Sequence, residues 1–260
     1  MTRFSANLGF LWTELPLPDA IRAAARHGFA AVECHFPYAV DPAQVIAALT
    51  ETGLPMLGLN TVRGETGDNG LAAIPGREDE AREAIAQAVD YAAAIGARNV
   101  HVMAGIAAGP EAHATFVANL RHACALAQTA NVPGILIEPL NRHDAPGYFL
   151  RTSGQARAII DEIGDPRLRL MFDCYHTQVT EGDVTRRMTE LLPIIGHVQI
   201  AGAPSRAEPD EGELDYRHVL AALDALGWNT PVGAEYRPRG TTEAGLGWMK
   251  SLTGESAGRD

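Results

Sequence analysis

The sequence predicts a single α/β domain folded as a (β/α)₈ TIM barrel, and three observations carry that reading. Short apolar runs alternate about eight times with longer Ala-rich amphipathic stretches. Glycines stand where several of the long stretches should stop. No G-x-G-x-x-G or G-x-x-x-x-G-K-[ST] follows the first apolar run, so the competing open, nucleotide-binding sheet loses its main support. The length, 260 residues, is usual for one such barrel, and no linker or low-complexity stretch divides it, so one domain is expected over 1–260.

In chain order, the apolar runs are SANLGF near the start, AVECHF at 31–36, PMLGLN at 55–60, NVHVMAG at 99–105, GILIEPL at 134–140, LRLMFD at 168–173, HVQIAG at 197–202 and PVGAEY at 231–236. Each is of strand length. Several are nearly continuous in Val, Ile and Leu, as strands covered on both faces should be. Helices are expected at about 18–27, 41–52, 77–95, 111–130, 153–163, 183–192, 215–226 and 241–251. The clearest, 77–95, follows the Pro75-Gly76 break and carries Glu78, Asp79 and Glu80 where the helix dipole favours anions. It stops at Gly96, and Gly28, Gly53, Gly164 and Gly227 mark the ends of others.

The apolar fraction of 46% and charged fraction of 20% are those of a soluble globular chain. A net charge of −11 argues against a nucleic-acid partner, because phosphate binding needs a basic footprint. An anionic small molecule is not excluded, since one or two arginines or a metal reverse the sign locally. Cys34, Cys124 and Cys174 are too few and too scattered for a disulfide framework or a zinc motif, and are expected as buried free thiols. The start, MTRFSANLGFLW, lacks a leader-like apolar segment, and no run approaches the ~18 apolar residues of a membrane span. A cytoplasmic protein with no membrane partner is expected.

In such a barrel the chemistry lies at the C-terminal ends of the strands. From the fifth strand onward those ends carry Glu138 after ILI, Asp173 after LRLMF, Gln199 within HVQI and Glu235 after PVGA. Each alone is an ordinary strand-end polar residue; four in succession point to a site. Three converging carboxylates repel and raise one another's pKa. A hard divalent cation relieves that repulsion, and oxygen donors suit Mg²⁺ or Mn²⁺. The four residues are therefore the expected metal centre, with no nucleotide cofactor.

His176, in FDCYH, and Arg206, in the loop after the seventh strand, are the candidates for holding substrate oxygens, Arg206 by a bidentate clamp. The blander alternatives are a satisfied strand-end histidine, and a loop arginine paired with Glu208 or Asp210. His35 and His101 are expected to be structural, and Glu33 to bind backbone or support the site. Asn60, Thr61 and Arg63 have no specific role beyond lining a pocket, and the acidic residues between 208 and 215 are expected to form a solvated loop.

With these residues identified, the chain resembles the hydroxypyruvate isomerase family of the xylose-isomerase-like barrels. The resemblance runs nearly end to end, most specifically in FPY at 36–38, IPGRE at 74–78, IEPLNRHDAPGYFL at 137–150, FDCYH at 172–176, HVQIAGAPSRAEPDEGELDY at 197–216 and EYRPRGTTEAGLGW at 235–248. It implies metal ligation by Glu138, Asp173, Gln199 and Glu235, with the two glutamates as the catalytic acid/base pair. His176 and Arg206 are implied as substrate-binding. The implied reaction interconverts hydroxypyruvate and 2-hydroxy-3-oxopropanoate (tartronate semialdehyde) through a metal-stabilised enediolate, without a redox cofactor. Related ketose epimerases usually have histidine where this chain has Gln199, which leaves the metal's identity open.

Two alternatives keep the same chemistry. A 2-oxo-tetronate isomerase acts on a substrate one carbon longer, and HVMAG, HVQIAG and RPRGTTEAGLGW resemble that branch, whereas EPLNRHDAPGYFL resembles the hydroxypyruvate branch. A ketose 3-epimerase would act on free ketoses. A DNA-repair endonuclease, also a fold relative, needs a histidine-rich trinuclear zinc site and a basic face, which the charge and Gln199 oppose. A non-catalytic barrel has little reason to keep three converging carboxylates. Relatives make a homo-oligomer the expectation.

Overall fold

The computed structural model describes residues 2–253, and among them eight strands form one parallel sheet. The strands are β1 (Phe4–Asn7), β2 (Ala31–Glu33), β3 (Leu59–Asn60), β4 (Asn99–His101), β5 (Gly134–Ile137), β6 (Leu168–Asp173), β7 (Ile195–Ile200) and β8 (Val232–Ala234). Their order is β2-β1-β8-β7-β6-β5-β4-β3. The sheet curls until its two edges meet, where Val32 N–H donates to Pro55 O at 3.0 Å and Leu57 N–H to Val32 O at 2.7 Å. These bonds nearly close a barrel. The third run is strand only at its end, and before that it pairs with β2 through a single bridge at Met56.

Continuous apolar runs form these strands because both faces are covered. Ile135, Leu136 and Ile137 are all buried, facing alternately into the barrel and toward the helices. The helices are α1 (Leu17–Arg26), α2 (Pro42–Thr52), α3 (Glu78–Ile95), α4 (Gly109–Ala130), α5 (Ser153–Ile163), α6 (Cys174–Thr180), α7 (Val184–Leu191), α8 (Tyr216–Ala225), α9 (Thr242–Gly245) and α10 (Gly247–Thr253). Caps set their ends: the Asp41 side chain accepts from Ala43 N and Thr152 from Gln155 N, while Gly96 closes α3 at φ 69°. On α10, Trp248 is buried edge-on against Phe4 at the start of β1, with ring centroids 4.7 Å apart.

Three features differ from the sequence reading. The stretch expected as one helix at 241–251 is broken into α9 and α10. The short helix α6 was not expected. It begins without a loop directly after β6, because Asp173 Oδ1 accepts from Tyr175 N at 2.6 Å and His176 N at 3.2 Å. The acidic loop at 208–215 is not uniformly solvated. Glu208 is buried and bonds Arg239 Nε at 2.7 Å, and Asp215 caps α8 through Arg217 N.

Above the barrel's C-terminal end, the loop after β3 is stitched to the segment after β4. Gly70 pairs with Ala104, and Ala73 N–H donates to Ala104 O at 2.7 Å. A Cβ on Gly70 would meet Met103 O at 2.4 Å, and its φ of 112° disfavours other residues, so this close approach requires glycine. No helix among the described residues is long and apolar enough to cross a membrane. The three cysteines are free and buried.

Candidate active site

Every strand has a polar residue at or next to its last position, at the same end of the barrel. Asn7, Glu33, Asn60, His101 and Asp173 are the last residues of β1, β2, β3, β4 and β6. Glu138 and Glu235 directly follow β5 and β8, and Gln199 is the penultimate residue of β7. The parallel arrangement brings these ends together at one mouth. There a cavity of about 660 Å³ opens, walled in part by Phe10, His35, His101, Glu138, His176 and Arg206.

At its base, ligand atoms of Glu138, Asp173, His176 and Glu235 lie within 4.8 Å of one another, and all four residues are buried. Glu138 Oε1, Asp173 Oδ2, Gln199 Oε1 and His176 Nε2 have no hydrogen-bond partner among the described residues. Buried polar atoms are rarely left so. Asp173 is half used, since Oδ1 caps α6 while Oδ2 is free. Gln199 is Asp173's register partner across β6 and β7; its Nε2 donates to Glu33 at 2.8 Å. Orphaned acceptors on two acids and an amide, with the Glu235 carboxylate beside the two acids, are a donor set that a hard divalent cation fits.

His176 faces the cluster as a donor. Its Nδ1 accepts from the backbone N–H of Asn141 at 3.0 Å, a polarity that cannot be reversed. The neutral ring therefore carries its proton on Nε2, 3.9 Å from Glu138 Oε1. Asn141 is itself fixed, its Oδ1 accepting from His143 N and Asp144 N. His176 is thus suited to donate to a substrate oxygen rather than to bind a cation.

The charges are arranged unequally. Burial, then the nearby Glu235 and Asp173, push Glu138 well above the usual carboxylate range. Burial and Glu235 likewise push Asp173 up to about 7. Burial would raise Glu235 too, but the Arg206 guanidinium and the His35 hydrogen bond overrule it and hold Glu235 well below its ordinary value. Burial, reinforced by Arg206, lowers His176 to about 3, so it stays neutral. Burial lowers His101 to about 4.

Arg206 makes different partners from those considered for a loop arginine. Its NH2 bonds Glu235 Oε2 at 2.7 Å and its NH1 bonds Asp144 Oδ2 at 3.2 Å, while Glu208 pairs with Arg239 instead. The guanidinium lies between the rings of Phe10 and Tyr175, 4.9 and 5.3 Å from their centroids. Its fork is engaged by protein carboxylates, leaving a buried Nε without a partner. Farther out, Arg63 and Arg237 line the cavity beside Phe36 and Phe10, and neither has a carboxylate partner among the described residues.

The family model described as "Xylose isomerase-like TIM barrel" matches residues 21–252. The chain belongs to this family. Among relatives in the xylose isomerase-like family, a 2-oxo-tetronate isomerase of Cupriavidus necator is 44% identical over 98% of this chain and 100% of its own. A hydroxypyruvate isomerase of Escherichia coli is 39% identical over 96% of this chain and 98% of its own. A crystal structure described as AP endonuclease, family 2, from Brucella melitensis superposes with a TM-score of 0.92 at 38% identity, covering 96% of this chain and 99% of that one.

All six residues singled out from the sequence, Glu138, Asp173, Gln199, Glu235, His176 and Arg206, lie at this mouth of the xylose isomerase-like barrel. Others were underread. His35 Nε2 is 3.1 Å from Glu235 Oε1, and His101 Nδ1 is 3.7 Å from Glu138 Oε2, so both stand within the site's wall. Asn7 donates to Glu33 at 3.0 Å and Glu235 at 2.9 Å. Applying the strand-end rule to all eight strands rather than the last four would have found Asn7 and moved His101 from a structural expectation to the mouth. The signal for Asp144 and Asn141, which sit in a loop, was absent.

Proposed function

We propose that the chain is an aldose–ketose type isomerase that interconverts hydroxypyruvate and 2-hydroxy-3-oxopropanoate. The observation that carries this reading is the convergence of two buried glutamates with opposed proton affinities around a set of orphaned acceptors and one N–H donor. Pairs of titratable groups pushed apart in this way mark acid/base chemistry.

Glu138, Asp173, Gln199 and Glu235 would hold a divalent cation, for which oxygen donors favour Mg²⁺ or Mn²⁺. When bound, it would supply the Lewis acidity that acidifies the C–H between a carbonyl and a neighbouring hydroxyl. Glu138, which lacks donors and holds protons more readily, takes the proton from one carbon; Glu235 serves the neighbouring carbon. His176 Nε2–H donates to a substrate oxygen, and Arg206 fixes Glu235 while offering its remaining N–H groups to the same oxygens. Arg63 and Arg237 give an acidic protein two cations at the mouth without a carboxylate partner among the described residues, which favours an acid over a neutral ketose.

A 2-oxo-tetronate substrate is the second reading, favoured by the 44% identical relative and by a cavity of about 660 Å³ that has room for a longer acid. We take residues 1–260 as one catalytic domain working in the cytoplasm, with no nucleic-acid or membrane partner, as a homo-oligomer. Turnover of hydroxypyruvate and of 2-oxo-tetronate, measured side by side on metal-stripped protein and after adding Mg²⁺ or Mn²⁺, tests the proposal. A metal-dependent rate on one acid, with deuterium entering from D₂O, supports it and selects the substrate. Silence on both acids with metal bound sinks it.

A further inference from the structure

Below the carboxylate cluster lies a second buried network in which a main-chain donor fixes the direction of the Asn7 amide. It starts from the main chain. Gly9 N–H donates to Asn7 Oδ1 at 2.9 Å, which fixes the Asn7 amide and leaves Nδ2 as its donor end. That Nδ2 bonds Glu33 Oε1 at 3.0 Å and Glu235 Oε1 at 2.9 Å. Glu33 Oε1 also meets Gln199 Nε2 at 2.8 Å, and Glu33 Oε2 meets His197 Nε2 at 2.5 Å. Three side chains thus converge on one carboxylate that is 4% exposed.

The Gln199 amide has two ends, a donor and an acceptor. Glu33 is an acceptor and takes the NH₂ end; the reversed amide would set oxygen against oxygen in a buried place. Asp173, its register partner on β6, also carries an unpartnered acceptor, Oδ2. With NH₂ held by Glu33, Gln199 Oε1 is left without a partner. The network is also closely packed, since a Cβ on Gly233 would meet Glu33 Oε1 at 2.7 Å and Gln199 Cγ at 2.8 Å.

We propose that Glu33 is a positioning residue: it holds the Gln199 amide with Oε1 turned out as a ligand and, through Asn7, ties that orientation to Glu235. This rests on reading Glu138, Asp173, Gln199 and Glu235 as the metal-holding set. Outer partners of this kind typically govern about 10–100-fold of metal affinity. A neutral amide at position 33 can accept or donate, so it no longer dictates which way Gln199 lies.

The test is Mn²⁺ affinity of the full chain, by electron paramagnetic resonance and calorimetry, in wild type, Glu33→Gln, Gln199→Ala and the double variant. Glu33→Gln should weaken binding at least about 10-fold. In the Gln199→Ala background the same change should cost less than about 2-fold, because its effect passes through Gln199. A folded Glu33→Gln that binds Mn²⁺ like wild type, or losses that multiply in the double variant, would overturn the proposal alone. Wild type that binds no Mn²⁺ would overturn the metal reading and the proposal with it. If Glu33→Gln does not fold, wild type labelled with ¹⁵N-glutamine decides, the Gln199 NH₂ pair being identified by its absence from Gln199→Ala. That pair should remain protected from solvent exchange when Mg²⁺ is added; free exchange would overturn the proposal.

Discussion

Replacing Arg206 by Met should destabilise the metal-free protein by about 3–5 kcal/mol, the usual cost of removing one partner from a buried ion pair. Arg206 is 8% exposed and holds Glu235, 5% exposed, at 2.7 Å, with Asp144 at 3.2 Å on its other arm. Methionine fills much of the same space but leaves Glu235, among the described residues, with Asn7 and His35 as donors. For a chain of this size about 2–4 °C accompanies each kcal/mol, so a melting temperature roughly 10 °C lower is expected. The deficit should also depend on pH. Arg206 holds Glu235 below its ordinary 4.5, so that contribution to stability is present above pH 4.5 and is lost as pH falls through the folded value. In the variant, Glu235 is no longer held down and takes up a proton on acidification, so the deficit should narrow from pH 7.5 to 4. Added Mn²⁺ should restore part of the loss by replacing the positive charge. Thermal melts of EDTA-treated protein at both pH values provide the assay. A deficit below about 3 °C at pH 7.5, or one unchanged at pH 4, would refute the assignment of Arg206 as the counter-charge of Glu235.

Glu138→Gln and Glu235→Gln should each lower turnover at least about 100-fold, the lower scale of general acid/base loss, and a variant near full rate removes that glutamate from the mechanism. Because Asp173 is raised to about 7 and Glu138 is raised as well, Mn²⁺ binding should release protons at pH 6.5 and fewer at pH 8.5. Calorimetry in buffers of different ionisation enthalpy measures this, and equal release at the two pH values would contradict it. His176 is lowered to about 3, so His176→Gln should raise KM without removing any limb near pH 6.5 from the pH–rate profile. Gly70→Ala should cost roughly 1–3 kcal/mol, read from denaturant melts, because Met103 O stands 2.4 Å from the new Cβ at φ 112°.

The sequence alone determined the architecture and which polar residues stand at the barrel's mouth, for a local reason. Parallel strands buried on both faces must be apolar throughout, so GILI and LRLMF declare themselves, and the first polar residue after such a run must lie at the barrel's mouth. Glu138, Asp173 and Glu235 follow directly from that rule, and Gln199 lies one residue inside its strand. Tertiary structure decided the partnerships, which form between residues far apart in the chain. Arg206 could have paired with its neighbour Glu208, but the loop turns it onto Glu235 and Asp144 and gives Glu208 to Arg239. The proton position on His176 depends on a backbone N–H at Asn141, and the direction of the Gln199 amide depends on Glu33, on the strand ending three elements away in the sheet. Local pattern reports which face or end a side chain occupies. Which donor meets which acceptor there, and hence which carboxylate keeps its proton, is settled only when the barrel closes and water is excluded.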